Sequence, residues 1–406
     1  MRKVYLDNAA ATRLLPEALE AMLPYFREIY GNPQSMHGWG DGAREAVDEA
    51  REKVADLIGG QPEEVIFTSS GTESNNLAVK GLAQAYQAKG KHIVISAIEH
   101  FSVMNSARTM EKRGFEVTQI PVDKHGLVDI DRLAASMRAD TILVSIMHAN
   151  GEVGTIQNIK QISQLVKGKG AVFHTDAAAT AGTIPVNIND LGVDALSMAA
   201  NQFYGPKGAG AIWVRKGTRI IPQLDGGVQE GGRRGGTEDV PAIVGMGKAA
   251  ELAKQQMSSR MERLSILRDR LIEGLTSKID HVILTGHPKN RLPGSASICV
   301  EFIEGESMLM MLSSKSVAVS SGSACTSKAL KASHVLTAMG LPPEIAQGSL
   351  LFSIGLENTP EDIDYVIEVM PPIVDRLRQM SPLYSKFLKE KQGKEAQPNR
   401  GGGSGK

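Results

Sequence analysis

Cys325 is the residue with the clearest capacity for chemistry. It stands in the Gly/Ser-rich sequence SSGSACTS, and the helix-like stretch that follows carries Lys328 and Lys331. A helix N-terminus and nearby cations favour the thiolate, which is the nucleophilic and metal-binding form of cysteine. We therefore predict a reactive thiol at Cys325, against the alternative of an inert loop cysteine. The other cysteine, Cys299, lies in the strand-like SASICV and is predicted to be a buried apolar filler.

Three further positions follow predicted strands. Ser70, Gly71 and Thr72 end a β-rich run and open a helical one, so their N–H groups and hydroxyls could hold a phosphate or simply cap the helix. His100 and Asp176 also come directly after β-rich runs. By position alone, the first is a turn histidine and the second a helix cap.

These residues belong to nine segments that resemble, in order, the cysteine desulfurase branch of the fold-type-I pyridoxal-phosphate enzymes. The resemblance covers roughly residues 3–380. The segments are YLDNAAA, GNPQSMHGWG, TSSGTESNN, Glu99–His100, MHANGEVG, HTDA, FYGPKG, GGVQEGGRRGGT and VSSGSACTS. Any one of them could arise by chance, but nine in the family's order make a strong signal.

The resemblance implies a role for each matching residue. Cys325 would attack substrate sulfur, carry it as a persulfide and hand it on. The remaining residues would bind the cofactor: Gly71 and Thr72 its phosphate, His100 the face of its ring, Asn150 the ring by a hydrogen bond, Asp176 the pyridinium proton, and Thr237 a phosphate across a dimer interface. The family therefore implies a homodimer.

The chain departs from the family pattern where the cofactor would be attached. Gln202 stands at the position of the Schiff-base lysine, and an amide cannot form an imine or act as a general base. Asn201 replaces a histidine, and Ala199 replaces a phosphate-binding hydroxyl. Ala179 stands where the family has a glutamine that meets the cofactor's phenolic oxygen. Lys207 belongs to GPKG, which the family carries in addition to that lysine.

The substrate-binding arginines are also replaced. Leu351 and Leu356 occupy the two arginine positions of the family pattern RFSLGR. The first of those arginines clamps the substrate carboxylate, and leucine has no donors to offer. Arg234 is a candidate to compensate.

Three hypotheses follow. In the first, the chain is a sulfur-transfer protein of iron–sulfur cluster assembly: Cys325 takes sulfur from a donor and carries it as a persulfide, or ligates a [2Fe-2S] cluster shared with a scaffold protein. In the second, it is a cysteine desulfurase that holds pyridoxal phosphate without a covalent bond, with His100 or a water molecule as the catalytic group that moves protons. In the third, it is a non-catalytic regulatory subunit.

The elements that position these residues alternate between strand and helix up to about residue 215. The β-rich runs are 64–68, 92–97, 142–147, 171–174 and 209–214, separated by helical periodicity at 43–58, 72–88 and 159–166. This alternation predicts an α/β fold with a mostly parallel sheet, whose strand C-termini form the ligand-binding edge. The resemblance specifies seven strands in a large domain beside a smaller α+β domain.

The predicted limits are 14–255 for the large domain, 1–13 with 256–380 for the small domain, and 381–406 for a disordered tail. With 406 residues and zero formal net charge, the composition gives no reason to expect nucleic acid as a partner. No apolar run approaches the roughly 18–20 residues of a membrane helix, and the first residues are too polar for a secretory signal. We expect a cytoplasmic protein that does not bind a membrane.

Overall fold

The computed structural model describes residues 2–322 and 332–395. Its strands are β1 Val4–Tyr5, β2 Val65–Thr68, β3 His92–Ser96, β4 Glu116–Ile120, β5 Thr141–Ser145, β6 Val172–Asp176, β7 Ala195–Ala199, β8 Gly210–Val214, β9 Val282–Leu284, β10 Ser295–Val300, β11 Val317–Ala318 and β12 Ser349–Ser353. Its α-helices are α1 Pro16–Met22, α2 Pro24–Arg27, α3 Gly38–Ile58, α4 Gly71–Asn76, α5 Leu82–Tyr86, α6 Phe101–Glu111, α7 Ile130–Ser136, α8 Ile159–Gly168, α9 Ile188–Leu191, α10 Val240–Gln255, α11 Met257–Lys278, α12 Gly305–Ser314, α13 His334–Ala338, α14 Pro343–Ala346, α15 Pro360–Met380 and α16 Pro382–Glu395.

A seven-stranded sheet organises the first half of the chain. Its order is β2-β8-β7-β6-β5-β3-β4, and only β8 runs against the other six strands. The central strands are buried along their whole length because helices cover both faces, as mostly parallel sheets require. The predicted fold class, an α/β architecture with a seven-stranded mostly parallel sheet, is confirmed.

Each face of this sheet has its own apolar core. On one face, α3, α8 and α10 pack around Phe173, Phe203 and Trp213. On the other face, the continuous helical stretch 71–86 and helix α6 pack on Ile93, Ile95 and Leu143. The five predicted β-rich runs all form strands of this sheet.

Two strands of the seven-stranded sheet were not predicted from the sequence. Strand β4 has an exposed or half-exposed side chain at four of its five positions, because it lies at the edge of the sheet. Strand β7 has the sequence ALSMA, whose alanines and methionine do not distinguish a strand from a helix.

A separate apolar core holds the second half of the chain. The antiparallel sheet β12-β10-β9 packs against α11 and α15 around Ile298, Phe352 and Ile363. Val4 and Leu6 join this core through β1, which pairs with β11. This arrangement supports assigning the first residues to the smaller unit, while the domain limits given above stay a prediction.

The end of the described chain differs from the sequence-based expectation. Residues 382–395 form helix α16 instead of the first part of a disordered tail. The helix is held by rings: Phe387 stacks on Phe302 with centroids 4.7 Å apart, and Tyr384 lies 5.5 Å from the same ring. Two aromatic residues with charged neighbours carry too weak a periodic signal to predict this docking. None of the helices described here is long and apolar enough to cross a bilayer.

Candidate active site

A cavity of about 720 Å³ lies at the carboxyl ends of the parallel strands. Its lining includes residues that end or follow strands β2, β3, β5, β6 and β7. These are Ser70–Thr72, Ile98–Phe101, Met147 with Ala149–Glu152, Asp176 with Ala178 and Ala179, and Ala199 with Asn201 and Gln202. Carboxyl ends of parallel strands share one edge of a sheet, so residues far apart in sequence converge there. The edge predicted to bind a ligand is therefore the edge that contains the cavity.

One wall of the cavity, the acidic wall, consists of Glu99, His100 and Asp176 with Asn75 and Ser102. Asn75 Nδ2 donates to Asp176 Oδ2 at 2.6 Å and to Ser102 Oγ at 2.9 Å. Ser102 Oγ lies 2.7 Å from His100 Nδ1, which also accepts from the Ser102 N–H. Since Nδ1 is an acceptor, the Ser102 hydroxyl donates to it. A continuous hydrogen-bonded chain therefore joins Asp176 to His100.

Burial controls the charge of this wall. Burial raises the pKa of Asp176, although hydrogen bonds from the Ala178 N–H and Asn75 act against that rise. Burial also raises the pKa of Glu99 to about 8, even though Ser96 Oγ and the Met147 N–H donate to its Oε1. The buried oxygens Asn75 Oδ1 and Glu99 Oε2 have no hydrogen-bond partner among the described residues.

The predicted phosphate cradle is present as a helix start. Ser70 is the N-cap of α4, and its hydroxyl accepts from the Glu73 N–H at 3.1 Å. Gly71 is buried and Thr72 is exposed at the cavity surface. A Cβ on Gly71 would lie 3.1 Å from Ala199 Cβ, so position 199 borders the helix start with a methyl group and no hydroxyl.

Asn150 lines the cavity, but its side-chain amide forms hydrogen bonds with the protein backbone. Its Oδ1 accepts from the backbone N–H groups of Glu152 and Val153 at 2.9 and 3.0 Å. Its Nδ2 donates to the Ile98 carbonyl oxygen at 3.0 Å. The amide thus shapes the turn after β5, a task that motif matching does not reveal.

The substituted positions all border the same cavity: Ala179, Ala199, Asn201, Gln202, Leu351 and Leu356. Gln202 Nε2 donates to the Ala9 carbonyl oxygen at 2.9 Å, which ties this side chain to the N-terminal segment. No lysine lines the cavity among the described residues. Lys207 is exposed, and its Nζ donates to the Thr12 carbonyl oxygen at 3.2 Å.

The arginine that the sequence analysis proposed for the cavity is not the arginine that lines it. Arg234 does not line the cavity, because its guanidinium pairs with Glu73 at 2.9 Å. Arg260, which the sequence analysis did not single out, is buried and does line the cavity. Its position in the regular helical pattern of α11 gives no sequence signal for this placement, which depends on how the helix packs.

The remaining predicted residues lie elsewhere. Thr237 is exposed and does not line the cavity of its own chain. Cys325 lies outside the described residues, but Ser320–Gly322 before it and His334 with Val335 after it all line the cavity. Cys299 is a free buried thiol, as predicted, and burial raises its pKa to about 12.

Comparison with known proteins identifies the family. The family model described as aminotransferase class-V matches residues 4–366. The chain belongs to the class V aminotransferase family. Within this family it is similar to the protein named cysteine desulfurase IscS of Dictyoglomus turgidum, with 50% identity over 381 residues that cover 94% of this chain and 97% of the relative. The namesake of Methanosarcina thermophila is 50% identical and covers 95% of each chain.

Solved structures agree with this assignment. A NifS-like protein superposes with a TM-score of 0.87 at 38% identity, covering 93% of this chain and 100% of that one. The NifS-like protein of Rickettsia africae superposes with a TM-score of 0.84 at 32% identity, covering 92% and 100%. The seven-stranded sheet therefore belongs to a fold that this chain shares with those NifS-like proteins.

Cysteine desulfurases of the class V family use pyridoxal phosphate, and the cavity residues fit that cofactor in part. Asp176 and the unpartnered Asn75 Oδ1 suit the ring-nitrogen side of a pyridine. Covalent attachment of the cofactor to the protein does not fit, because no lysine lines the cavity among the described residues and the Gln202 side chain is hydrogen-bonded to the Ala9 carbonyl oxygen.

Proposed function

We propose that this protein is a cysteine-desulfurase-like sulfur-transfer protein of iron–sulfur cluster assembly that works without a Schiff-base lysine. One observation carries the proposal: the described cavity lacks a lysine, while the residues on both sides of the Cys325 segment line that cavity. Similarity to proteins named cysteine desulfurase supports sulfur as the element handled.

Chain connectivity limits where Cys325 can act. Three residues span at most about 11 Å when fully extended, so the backbone of Cys325 stays within that distance of Gly322 at the cavity. This short distance along the chain supports our proposal that the thiol acts at the cavity. In contrast, Cys299 is fully buried among Ile98, Met147 and Val153, and its raised pKa keeps it protonated.

Two steps are open to the Cys325 thiolate. It can attack the outer sulfur of a donor persulfide, so that a new S–S bond forms, the donor's S–S bond breaks and the donor leaves as a thiolate. It can also ligate iron in a [2Fe-2S] cluster that a scaffold protein holds through its own cysteines. Neither step needs a lysine amine or an external oxidant.

Anaerobic cluster assembly tests the proposal. An iron–sulfur scaffold protein is mixed with ferric iron, sulfide and this protein, and cluster formation is followed by visible absorbance and circular dichroism. We expect Cys325→Ala to abolish the contribution of this protein and Cys299→Ala, the matched control for a buried thiol, to retain it. Equal assembly by Cys325→Ala and the wild type would exclude the proposal and favour a regulatory subunit.

The acidic wall favours a second candidate, an active cysteine desulfurase with non-covalently bound pyridoxal phosphate. The chain from Asp176 through Asn75 and Ser102 to His100 holds a carboxylate and an imidazole beside one ligand space. Bound there, the cofactor would supply an electron sink, with Asp176 at its ring nitrogen and His100 at its face. Absorbance spectra before and after adding the cofactor, with a sulfide-release assay on cysteine, decide between the candidates. A protein that stays colourless excludes the second.

We also propose that the protein acts as a homodimer with a scaffold protein as its partner, in the cytoplasm. Thr237 supports the dimer because it is exposed and stands outside the cavity of its own chain, where a residue reaching a second subunit would stand. Size-exclusion chromatography with light scattering measures the oligomeric state. A monomeric mass at all concentrations would contradict this part of the proposal.

A further inference from the structure

The second wall of the cavity, the leucine wall, consists of Tyr204, Arg260, Leu264, Leu351 and Leu356. Arg260 and Leu264 are four residues apart on α11, so they lie on the same face of that helix. Only 8% of Arg260 is exposed. Among the residues described as lining the cavity, it is the one side chain that is a cation at every physiological pH.

Arg260 has neutral partners. Its Nε and Nη2 donate to Gln256 Oε1 at 3.1 and 2.9 Å. Its guanidinium carbon lies 5.8 Å from the centroid of the Tyr204 ring. No salt bridge joins Arg260 to a carboxylate of the described chain, and the acidic group that acts on it, Glu17, is exposed on α1. A buried charge without a counter-ion is unfavourable, and an anionic ligand would relieve that cost.

The neighbouring arginines cannot take this position because they have partners. Arg263 donates to the carbonyl oxygens of Leu356 and Asn358. Arg268 pairs with Asp269 and donates to the Leu292 carbonyl oxygen. Arg260 is thus the arginine of α11 that faces the ligand space with its positive charge uncompensated.

Tyr204 connects Arg260 to the position where the sequence lost an arginine. The Tyr204 hydroxyl accepts from the Leu356 N–H at 2.9 Å, while its ring lies beside Arg260. The guanidinium therefore stands next to the strand end that bears Leu356. The surrounding cavity residues Leu264, Leu292 and Ile354 are apolar and suit the body of a small uncharged chain.

We infer that Arg260 binds the carboxylate of a small ligand in this cavity, so that a carboxylate-bearing donor with an apolar or thioether body is the class of molecule admitted. A guanidinium presents paired donors that match the two oxygens of a carboxylate. The inference rests on the proposed function only in that a small donor enters the cavity; the binding of the carboxylate does not depend on Cys325.

The probe is 3-(methylthio)propionate, which has no thiol to react with Cys325 and no amine to react with an aldehyde. Its methyl ester has the same body without the charge. Binding of both to the full chain is measured by ligand-observed NMR and by calorimetric titration. We expect the wild type to prefer the acid to the ester by about tenfold or more, because burial strengthens a charge-assisted pair.

Two variants then test whether Arg260 causes the preference for the acid over the ester. Arg260→Met, of similar length and without charge, is expected to bind acid and ester equally. Arg270→Leu on the same helix, which breaks an exposed pair with Asp364, is expected to retain the wild-type preference. Circular dichroism verifies folding. A wild type that binds the ester as tightly as the acid overturns the inference without any variant, as does a folded Arg260→Met that keeps the preference.

The same measurement on Cys325→Ala separates this inference from the proposed function. Acid binding that survives in Cys325→Ala supports the carboxylate site whether or not the cluster-assembly test succeeds. Loss of acid binding in Cys325→Ala together with its retention in Arg260→Met would overturn the assignment to Arg260.

Discussion

The acidic wall and the leucine wall line one cavity but differ in how their charged side chains are stabilised. On the acidic wall, Asp176 and His100 are linked through hydrogen bonds of Asn75 and Ser102, although the buried oxygens Asn75 Oδ1 and Glu99 Oε2 have no partner among the described residues. On the leucine wall, the single cation Arg260 is buried against a neutral amide and an aromatic ring. We propose that the first wall suits a ligand with a polar aromatic ring and that the second binds a carboxylate through Arg260.

This difference shows that the ring-binding residues, the group for covalent attachment and the charge that binds a ligand can be present or absent independently of each other. The hydrogen bonds from Asp176 through Asn75 and Ser102 to His100 involve no lysine, so this part of the acidic wall forms without one. Covalent attachment of an aldehyde cofactor would require an amine, and Gln202 offers an amide instead. On the leucine wall, the positive charge is that of Arg260 on helix α11, whereas Leu351 in strand β12 and Leu356 after it are uncharged.

Restoring the amine should have the largest effect. Gln202→Lys places an amine in the cavity wall where Gln202 Nε2 now contacts Ala9. After incubation with pyridoxal phosphate and reduction with borohydride, we expect peptide mass spectrometry to find a cofactor adduct on residue 202. The wild type and a Gln202→Met control should carry none there. If the introduced lysine stays unmodified, the acidic wall does not hold the cofactor ring within its reach.

Neutralising Glu99 should change how stability depends on pH. Burial raises the pKa of Glu99 to about 8 from 4.5, so between these values the folded protein holds a proton that the unfolded chain has released. The free energy of unfolding therefore falls as pH rises through this window, by an amount on the order of a few kcal/mol. Glu99→Gln should make this slope shallower, with Asp176 still contributing in the same direction.

Urea unfolding between about pH 5 and 8 measures that slope. The exposed Glu20→Gln is the control and should follow the wild type. Parallel curves for Glu99→Gln and the wild type would mean that Glu99 is ionised in the folded protein across this range.

Breaking the network at Asn75 should have a smaller effect. Asn75→Ala removes the donor to Asp176 Oδ2 and Ser102 Oγ, which are both buried. Leaving buried acceptors without a donor costs about 1–3 kcal/mol of unfolding free energy. The adjacent Asn76→Ala removes one bond from a half-buried side chain to the Thr72 carbonyl oxygen and should cost less. Equal losses in urea unfolding would show that the network does not stabilise the acidic wall.

Much of the fold could be predicted because apolar runs and helical periodicity indicate strands and helices from neighbouring residues alone. Val/Ile-rich runs such as 92–97 and 142–147 can be buried only as strands between covering helices, and helical periodicity between them forces a parallel arrangement. The site residues could be predicted where motif and strand end coincide, as at Gly71, His100 and Asp176. Edge strand β4 and helix α16 were missed because their stability comes from neighbours far away in the sequence.

The sequence by itself determined which groups these positions can offer, because an amide at Gln202 cannot form an imine and leucines at 351 and 356 have no donors in any conformation. Only the tertiary structure decided what the remaining polar groups do. Arg234 pairs with Glu73, Asn150 shapes a turn, and Arg260 reaches the cavity. The physical reason is that a side chain's type limits the bonds it can form, whereas its partners depend on packing between residues that are distant in sequence.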